Sequence, residues 1–125
     1  FSTARGWAAL RVGGAIAVAP FMVAGSGRFD TRVMQHFGRR VFCKMGAEGV
    51  MVAALPELGL GLALKAADGG NRAVEVALAA LLQRFGAPLW TESDHLLLNE
   101  LGDYTLRNWN GLPVGSFRAA TSRNA

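Results

Sequence analysis

The sequence predicts an α+β fold in which helices pack on one antiparallel sheet. Segments whose apolar residues recur at helical spacing lie on both sides of a central region of short, β-type apolar runs. The turns between these runs are short, which makes neighbouring strands antiparallel. The chain also carries 16 glycines in 125 residues, more than a helical bundle needs, and these indicate tight turns and closely packed strands.

Four helices are predicted from apolar spacing and from capping residues at their ends. The first is capped by Ser2 or Thr3 and runs to about Ala19, where Pro20 stops it. Phe21–Ala24 is then expected to be a short buried stretch. The other helices are one capped by Asp30 or Thr31 and ended by Gly38, one over Arg72–Phe85, and one over Glu92–Leu101 capped by Thr91 or Ser93.

The strands are predicted from β-type apolar runs bounded by turn residues. The middle run is apolar throughout and should be the central strand. An Asn110-Gly111 pair predicts a type I′ hairpin turn into a last strand. The four predicted strands are Arg40–Met45, Gly49–Leu55, Leu60–Ala66 and Leu112–Arg118. Residues 1–125 are expected to form a single unit.

The composition argues against several classes of protein. The net charge is +4, but the arginines are scattered, which gives little support to nucleic-acid binding. Cys43 is the only cysteine, so the chain forms no intrachain disulfide, and His36 and His95 lack ligand-like spacing. We therefore expect no metal, no other cofactor, no nucleic acid and no membrane partner, and a cytoplasmic location.

One short motif could carry chemistry, namely Lys44-Met45-Gly46 at the end of the first predicted strand. A lysine there can orient a substrate carboxylate as a cation, or shuttle protons to a serine if it is desolvated. The following glycine lets a ligand come close. Taken alone, the tripeptide is common, and an ordinary surface lysine at a strand end is the better interpretation.

The residues around the motif change that interpretation. The motif extends to a run K-x-G-A-E-G, which is followed by A-L-P-E-L-G-L-G. Over most of its length, the chain is similar to the asparaginase II family of the rhizobial, thermolabile type. The segments that carry the resemblance are Gly27–Thr31, Lys44, Gly46–Val50, Ala54–Gly61, Ala63–Lys65, Leu106–Trp109, Asn110-Gly111 and Val114-Gly115.

The resemblance implies the C-terminal part of a fold like that of serine β-lactamases and glutaminases. It also implies an amidohydrolase that converts asparagine to aspartate and ammonia. Lys44 matches the catalytic lysine of the K-x-G strand, and Gly46, Ala47 and Glu48 are expected to bind substrate. Met45 departs from the Thr or Ser that β-lactamases usually carry there, so a hydroxyl ligand is missing at this position.

The family's nucleophile is expected in a Ser-x-x-Lys motif, whose spacing puts both side chains on one helix face. No serine of this chain has a lysine three residues later; the serines are Ser2, Ser26, Ser93, Ser116 and Ser122. We therefore expect the nucleophile to lie outside this chain, the chain to be a fragment, and the isolated polypeptide to be inactive. Exposed apolar surface should then favour a homo-oligomer, such as a dimer.

Two other functions stay open at this stage. The chain could be a non-catalytic binding or assembly module that kept the hydrolase sheet. It could also be a basic nucleic-acid binder, which a steep salt dependence of affinity would reveal.

Four further residues receive structural interpretations. Asp30 is expected to cap a helix rather than to pair with Arg28 or bind a carboxylate. Glu48 has a structural alternative, as the cap of a turn. Cys43 should point away from Lys44 and be a buried, inert thiol. Trp109 is expected to be a core anchor.

Overall fold

The computed structural model describes residues 3–120 and has the α+β architecture that the sequence predicts. Short turns of 3-10 helix lie at Gly38–Arg40, Pro56–Leu58 and Ala87–Leu89. The helices are α1 (Ala4–Val18), α2 (Phe21–Ala24), α3 (Phe29–Phe37), α4 (Asn71–Gly86) and α5 (Glu92–Gly102), and the strands are β1 (Phe42–Gly46), β2 (Val50–Leu55), β3 (Leu60–Lys65), β4 (Asp103–Arg107) and β5 (Pro113–Arg118).

Backbone contacts group the residues into two compact units. Among the described residues, the first unit contains residues 3–46 together with Val52–Ala63, and the second contains Ala47–Met51 together with residues 64–120. The division falls inside β2 and β3. That residues 1–125 form a single unit stays a prediction.

The strands form two sheets where the sequence analysis expected one. Strand β2 lies between β1 and β3, which confirms its predicted central position. The second sheet is the antiparallel pair β4–β5, in which Asp103 lies opposite Arg118. Strand β4 was not predicted, although Tyr104 and Thr105 are residues that favour strands.

Helix α1 begins where its cap predicts, because the Thr3 side chain accepts a hydrogen bond from the Gly6 N–H at 3.2 Å. The next segment differs from the prediction. Phe21–Ala24 is a single helical turn with no buried residue, and Phe21 and Met22 are exposed. The sequence signal was hydrophobicity alone, which cannot tell a buried segment from an apolar surface.

Helix α3 supplies much of the core of the first unit. Phe29, Val33, Met34 and Phe37 recur at helical spacing and are all buried. The helix ends before Gly38, whose φ of 58° is a conformation that glycine adopts without steric cost.

Strand β3 alternates between half-buried leucines and exposed small residues, as its sequence predicts. Gly61 lies on the bare face, and no described atom comes within 4 Å of the position that its Cβ would occupy. The bare face of β3 is therefore open at this point.

The second unit is built around α4 and α5. The predicted apolar stripe of α4 is largely confirmed, since Val74, Leu78 and Leu82 are buried, whereas Phe85 is exposed. Helix α5 begins with a capping box in which the Thr91 and Asp94 side chains each accept a hydrogen bond from the other residue's backbone N–H.

Trp90 closes the end of α4. Its indole Nε1 donates to the Leu82 carbonyl at 2.7 Å, and a Cβ at Gly86 would overlap the indole ring. Only glycine at position 86 lets the tryptophan lie against this last helical turn.

The predicted hairpin turn at Asn110-Gly111 is present and joins β4 to β5, but it is not type I′. That turn requires positive φ at both central residues, and only Gly111, at 77°, has it. The Gly111 N–H instead donates to the Asn108 carbonyl at 2.9 Å, and the Asn108 side chain accepts from the N–H groups of Asn110 and Leu112. Trp109, predicted as a core anchor, is fully exposed at this turn.

Candidate functional site at the end of strand β1

The candidate site lies in the first unit, where the end of β1 meets the first turn of α3. Lys44 and Met45 come from the strand, and Asp30 comes from the helix. The Lys44 Nζ lies 3.9 Å from the Asp30 Oδ2. The Met45 N–H donates to the same oxygen at 2.7 Å. The structure thus places a carboxylate beside the lysine that the sequence singled out.

Lys44 keeps hydrogen-bonding capacity at this site. Its ammonium donates to the Met45 carbonyl, which occupies one of three N–H donors. The separation of 3.9 Å from Asp30 is an ion pair but exceeds hydrogen-bonding distance. The Lys44 side chain is 42% exposed, whereas that of Asp30 is 2% exposed. The cation is accessible to a ligand, and its counter-ion is not.

Asp30 does not cap the helix, contrary to the sequence prediction. The N-cap is Arg28, which makes no side-chain capping hydrogen bond, and Asp30 lies inside the first helical turn. Its carboxylate accepts instead from Met45, fifteen residues further along the chain. The positive end of the helix dipole also stabilises a negative charge at this position. Sequence reasoning missed this role, because an acidic residue at a helix start is the ordinary capping signal.

The second carboxylate oxygen of Asp30 has no hydrogen-bond partner among residues 3–120. Its Oδ1 is buried, and no described group donates to it. Buried carboxylate oxygens normally accept hydrogen bonds, so a buried oxygen without a donor lowers the stability of the fold and calls for an explanation.

Cys43 is buried on the other side of β1 from Lys44, as alternation along a strand predicts. Its Sγ lies 3.9 Å from the Asp30 carbonyl oxygen. Burial is the main cause that raises the pKa of the Cys43 thiol well above its ordinary value, and the Asp30 charge raises that pKa further. The thiol is therefore buried as predicted, and its raised pKa favours the protonated, unreactive form.

Arg28 also faces this strand end. Its guanidinium Nη2 lies 3.5 Å from the Met45 Sδ, within reach of a weak hydrogen bond to sulfur. Met45 is buried, so it contributes packing at the position where a hydroxyl-bearing side chain was expected. Gly46 follows it and is exposed, which leaves the backbone open to approach.

The next predicted site residues belong to the second unit. Ala47 and Glu48 lie in the exposed turn after β1, and Glu48 has a φ of 58°, which is uncommon for a residue with a side chain. The Glu48 carbonyl accepts from Lys65 Nζ at 2.5 Å, and Lys65 also donates to the Ala66 carbonyl at 2.7 Å. The backbone of Glu48 thus has a structural role.

The turn at Glu48 leaves no room for a side chain at Gly49. The φ of Gly49 is 66°, and a Cβ there would lie 2.8 Å from the Gly69 carbonyl carbon and 2.9 Å from the Ala66 Cβ. Both conformation and space therefore require glycine.

A family model described as L-asparaginase II matches residues 2–119, which is most of the chain. The chain belongs to the L-asparaginase II family. The match confirms the resemblance on which the sequence analysis relied, and the family is one of asparaginase-type amidohydrolases. None of the curated proteins searched matches the chain.

In this L-asparaginase II family member the two histidines belong to different units. His95 Nδ1 lies 2.6 Å from the Gln83 Oε1 in the second unit, and His36 lies on α3 in the first. Within residues 3–120, no group of three or more His, Cys, Asp or Glu side chains could hold a metal ion. No helix of the described residues is long and apolar enough to cross a membrane.

Proposed function

We propose that this chain contributes one wall of an active site that hydrolyses the side-chain amide of asparagine, and that Lys44 is the residue of this wall that contacts substrate. The half-exposed ammonium of Lys44 beside a buried carboxylate is the observation that carries the proposal. Membership of the L-asparaginase II family supports the substrate class.

The proposed role of Lys44 is to orient substrate as a cation. Asparagine carries an α-carboxylate, and a lysine ammonium binds such a group as a compact point charge with several donors. The nearby Asp30 charge stabilises the ammonium through Coulomb attraction. These surroundings favour the orienting role over the proton-shuttling role that the sequence also allowed.

The bond-breaking steps need a nucleophile, which we propose to be a serine outside this chain. Its oxygen adds to the amide carbonyl, the C–N bond breaks as ammonia leaves, and water then hydrolyses the acyl ester to release aspartate. No serine in this sequence has the required lysine three residues later. We also propose that the complete domain, which holds both this wall and the serine, has a β-lactamase-like fold.

Gly46 is proposed to help by leaving space. It is exposed and directly follows the Lys44-Met45 pair, so substrate could approach the backbone there. That Ala47 and Glu48 bind substrate stays a prediction.

Ammonia release from asparagine tests the proposal, measured on this polypeptide and on the longest open reading frame that contains it. Lys44→Ala in the longer protein should lower kcat/KM by on the order of 100-fold or more, because loss of a group that positions substrate costs about this much. Lys65→Ala is the matched control, because it removes the only other lysine of the chain and should leave the rate within about twofold.

The isolated polypeptide should release no ammonia. An active longer protein that is insensitive to Lys44→Ala would overturn the assignment of Lys44. No ammonia release from any form would overturn the asparaginase proposal.

A second candidate, assembly with another copy of this chain, is favoured by one observation. Helices α1 and α2 expose large apolar side chains, namely Trp7, Leu10, Val12, Val18, Phe21 and Met22. Contiguous exposed apolar patches are uncommon on monomers, and assembly with a second copy would cover these side chains. Sedimentation at several concentrations should show a dimer that Trp7→Glu with Val18→Glu dissociates, whereas a monomer at every concentration would count against assembly.

A further inference from the structure

We infer that Asp30 is the positioning residue for Lys44: its buried charge holds the lysine ammonium at the open end of β1 without itself taking any of the N–H donors that a carboxylate ligand would need. The inference rests on the proposed function, since the ligand is the substrate carboxylate. It adds Asp30 to the proposed site, although the sequence pattern around Asp30 favours a helix cap.

Asp30 contacts three successive residues of β1. Its main-chain carbonyl lies 3.9 Å from the Cys43 Sγ, and its Oδ2 accepts from the Met45 N–H at 2.7 Å. The residue between them is Lys44, whose Nζ is 3.9 Å from the same Oδ2. One aspartate thus fixes both the register of the strand end and the position of its charged side chain.

The distance between the Lys44 Nζ and the Asp30 Oδ2 is typical of an ion pair without a direct hydrogen bond. At 3.9 Å the Asp30 carboxylate attracts the ammonium without taking one of its N–H donors. A direct hydrogen bond would leave fewer donors for a ligand. The Lys44 ammonium is therefore held in place and still able to bind.

Asp30 is itself held in place by its surroundings. It is buried, and the neighbouring Thr31 hydroxyl donates to the Gly25 carbonyl at 2.5 Å, which ties the preceding turn to the helix start. Its Oδ1 has no donor among the described residues. A residue with only a packing role would not need a buried carboxylate oxygen that lacks a donor among residues 3–120, because a neutral side chain of the same shape would do.

Asp30→Asn separates the two roles of the carboxylate. The amide oxygen can still accept from the Met45 N–H, but the negative charge is lost. In the longer protein, Asp30→Asn should lower kcat/KM for asparagine by on the order of tenfold, mainly through a higher KM, because the ammonium that binds substrate is no longer held.

The same substitution should change kcat/KM by less than about twofold when Lys44 is already alanine, because the two residues act as a unit. Equal effects of Asp30→Asn in the two backgrounds would overturn the inference, since a purely structural residue lowers activity whether or not Lys44 is present. Asp68→Asn is the matched control, because Asp68 also accepts from a backbone N–H, that of Gly70 at 2.8 Å, but is exposed.

A second measurement is independent of asparaginase activity. Labelling this polypeptide with a small amine-acylating reagent compares Lys44 with Lys65 in one reaction, because these are its only lysines. Asp30→Asn removes the charge that holds the Lys44 side chain at the strand end, so Lys44 should become more accessible to the reagent and its labelling relative to Lys65 should rise several-fold.

Cys43 serves as a check on local unfolding in this experiment, since it stays unmodified while the strand end is folded. A raised Lys44 ratio in a protein without asparaginase activity would support the positioning role and reject the proposed function. An unchanged ratio would overturn the positioning role.

Discussion

The two lysines of this chain occupy similar places, near the ends of β1 and β3, but their surroundings differ. Lys65 donates to two backbone carbonyls, those of Glu48 and Ala66. Lys44 donates to one carbonyl and faces a buried carboxylate 3.9 Å away. Lys65 joins two pieces of backbone, whereas Lys44 presents a charge.

The comparison teaches that the surroundings of a lysine, more than its place on a strand, decide what it can do. Neutral carbonyls take two of the three N–H donors of Lys65 and leave one for a ligand. The Asp30 charge stabilises the Lys44 ammonium without using its donors. Four experiments test this difference and the structure around the two lysines, from the largest expected effect to the smallest.

The largest effect concerns the two faces of β1. Because burial and then the Asp30 charge raise the pKa of Cys43, the fraction of reactive thiolate near pH 8 is very small. A thiol reagent should modify the folded chain on the order of 100-fold more slowly than the chain unfolded in guanidinium, and the rate should rise with pH as thiolate forms.

Lys44 should be acylated readily under the same folded conditions, because its side chain is 42% exposed. Mass spectrometry after proteolysis measures both modifications. Rapid thiol modification at pH 8 would show that the two faces of β1 are equally open, which contradicts the structure.

The next effect concerns the turn that supplies the Glu48 carbonyl to Lys65. Gly49→Ala should lower the free energy of unfolding by about 2–4 kcal/mol, since it combines a left-handed conformation with a clash against Gly69 and Ala66. Urea unfolding measures the change.

Gly59→Ala is the matched control for Gly49→Ala. Gly59 has a φ of 60°, but no described atom lies within 4 Å of its added Cβ, so only the conformational cost of about 1 kcal/mol applies. Equal losses at positions 49 and 59 would mean that the Glu48 turn is not closely packed.

The unequal predictability of the two lysine environments has a physical reason. The helices α1, α4 and α5, the central position of β2 and the last hairpin could be predicted, because apolar periodicity and turn residues are local signals. The Gly49 requirement could be suspected from the glycine itself. The role of the Asp30 carboxylate could not be predicted, because its partner Met45 is fifteen residues away in the sequence and the local pattern around Asp30 indicates a helix cap.

The other errors have similar causes. The Asn110-Gly111 pair predicts a hairpin correctly, but the Asn108 side chain stabilises a different turn from the one predicted. Trp109 is large and apolar, so burial is the ordinary expectation, yet it lies on the exposed side of that turn. Hydrophobicity alone does not say which surface a residue faces, or whether another molecule covers it.

A smaller effect on stability is expected near Lys44 when the Asp30 side chain is shortened to alanine. Asp30→Ala removes a buried charged acceptor and leaves the Met45 N–H without its partner, which should lower the free energy of unfolding by about 1.5–3 kcal/mol.

Asp68→Ala removes an exposed acceptor of the same kind and should cost about 0.5–1 kcal/mol. Both are measured as shifts of the urea midpoint at constant slope. A larger loss at Asp68 than at Asp30 would contradict the buried role of the Asp30 carboxylate.

The smallest effect is expected at Lys65 itself. Lys65→Met keeps an unbranched apolar stem but removes both hydrogen bonds, so it should lower the free energy of unfolding by about 0.5–1 kcal/mol, because the bonds are exposed and water replaces them. Ammonia release by the longer protein should not change. If Lys65→Met instead abolished activity while Lys44→Met did not, the roles assigned to the two lysines would be reversed, and the Asp30 carboxylate would lose its functional meaning.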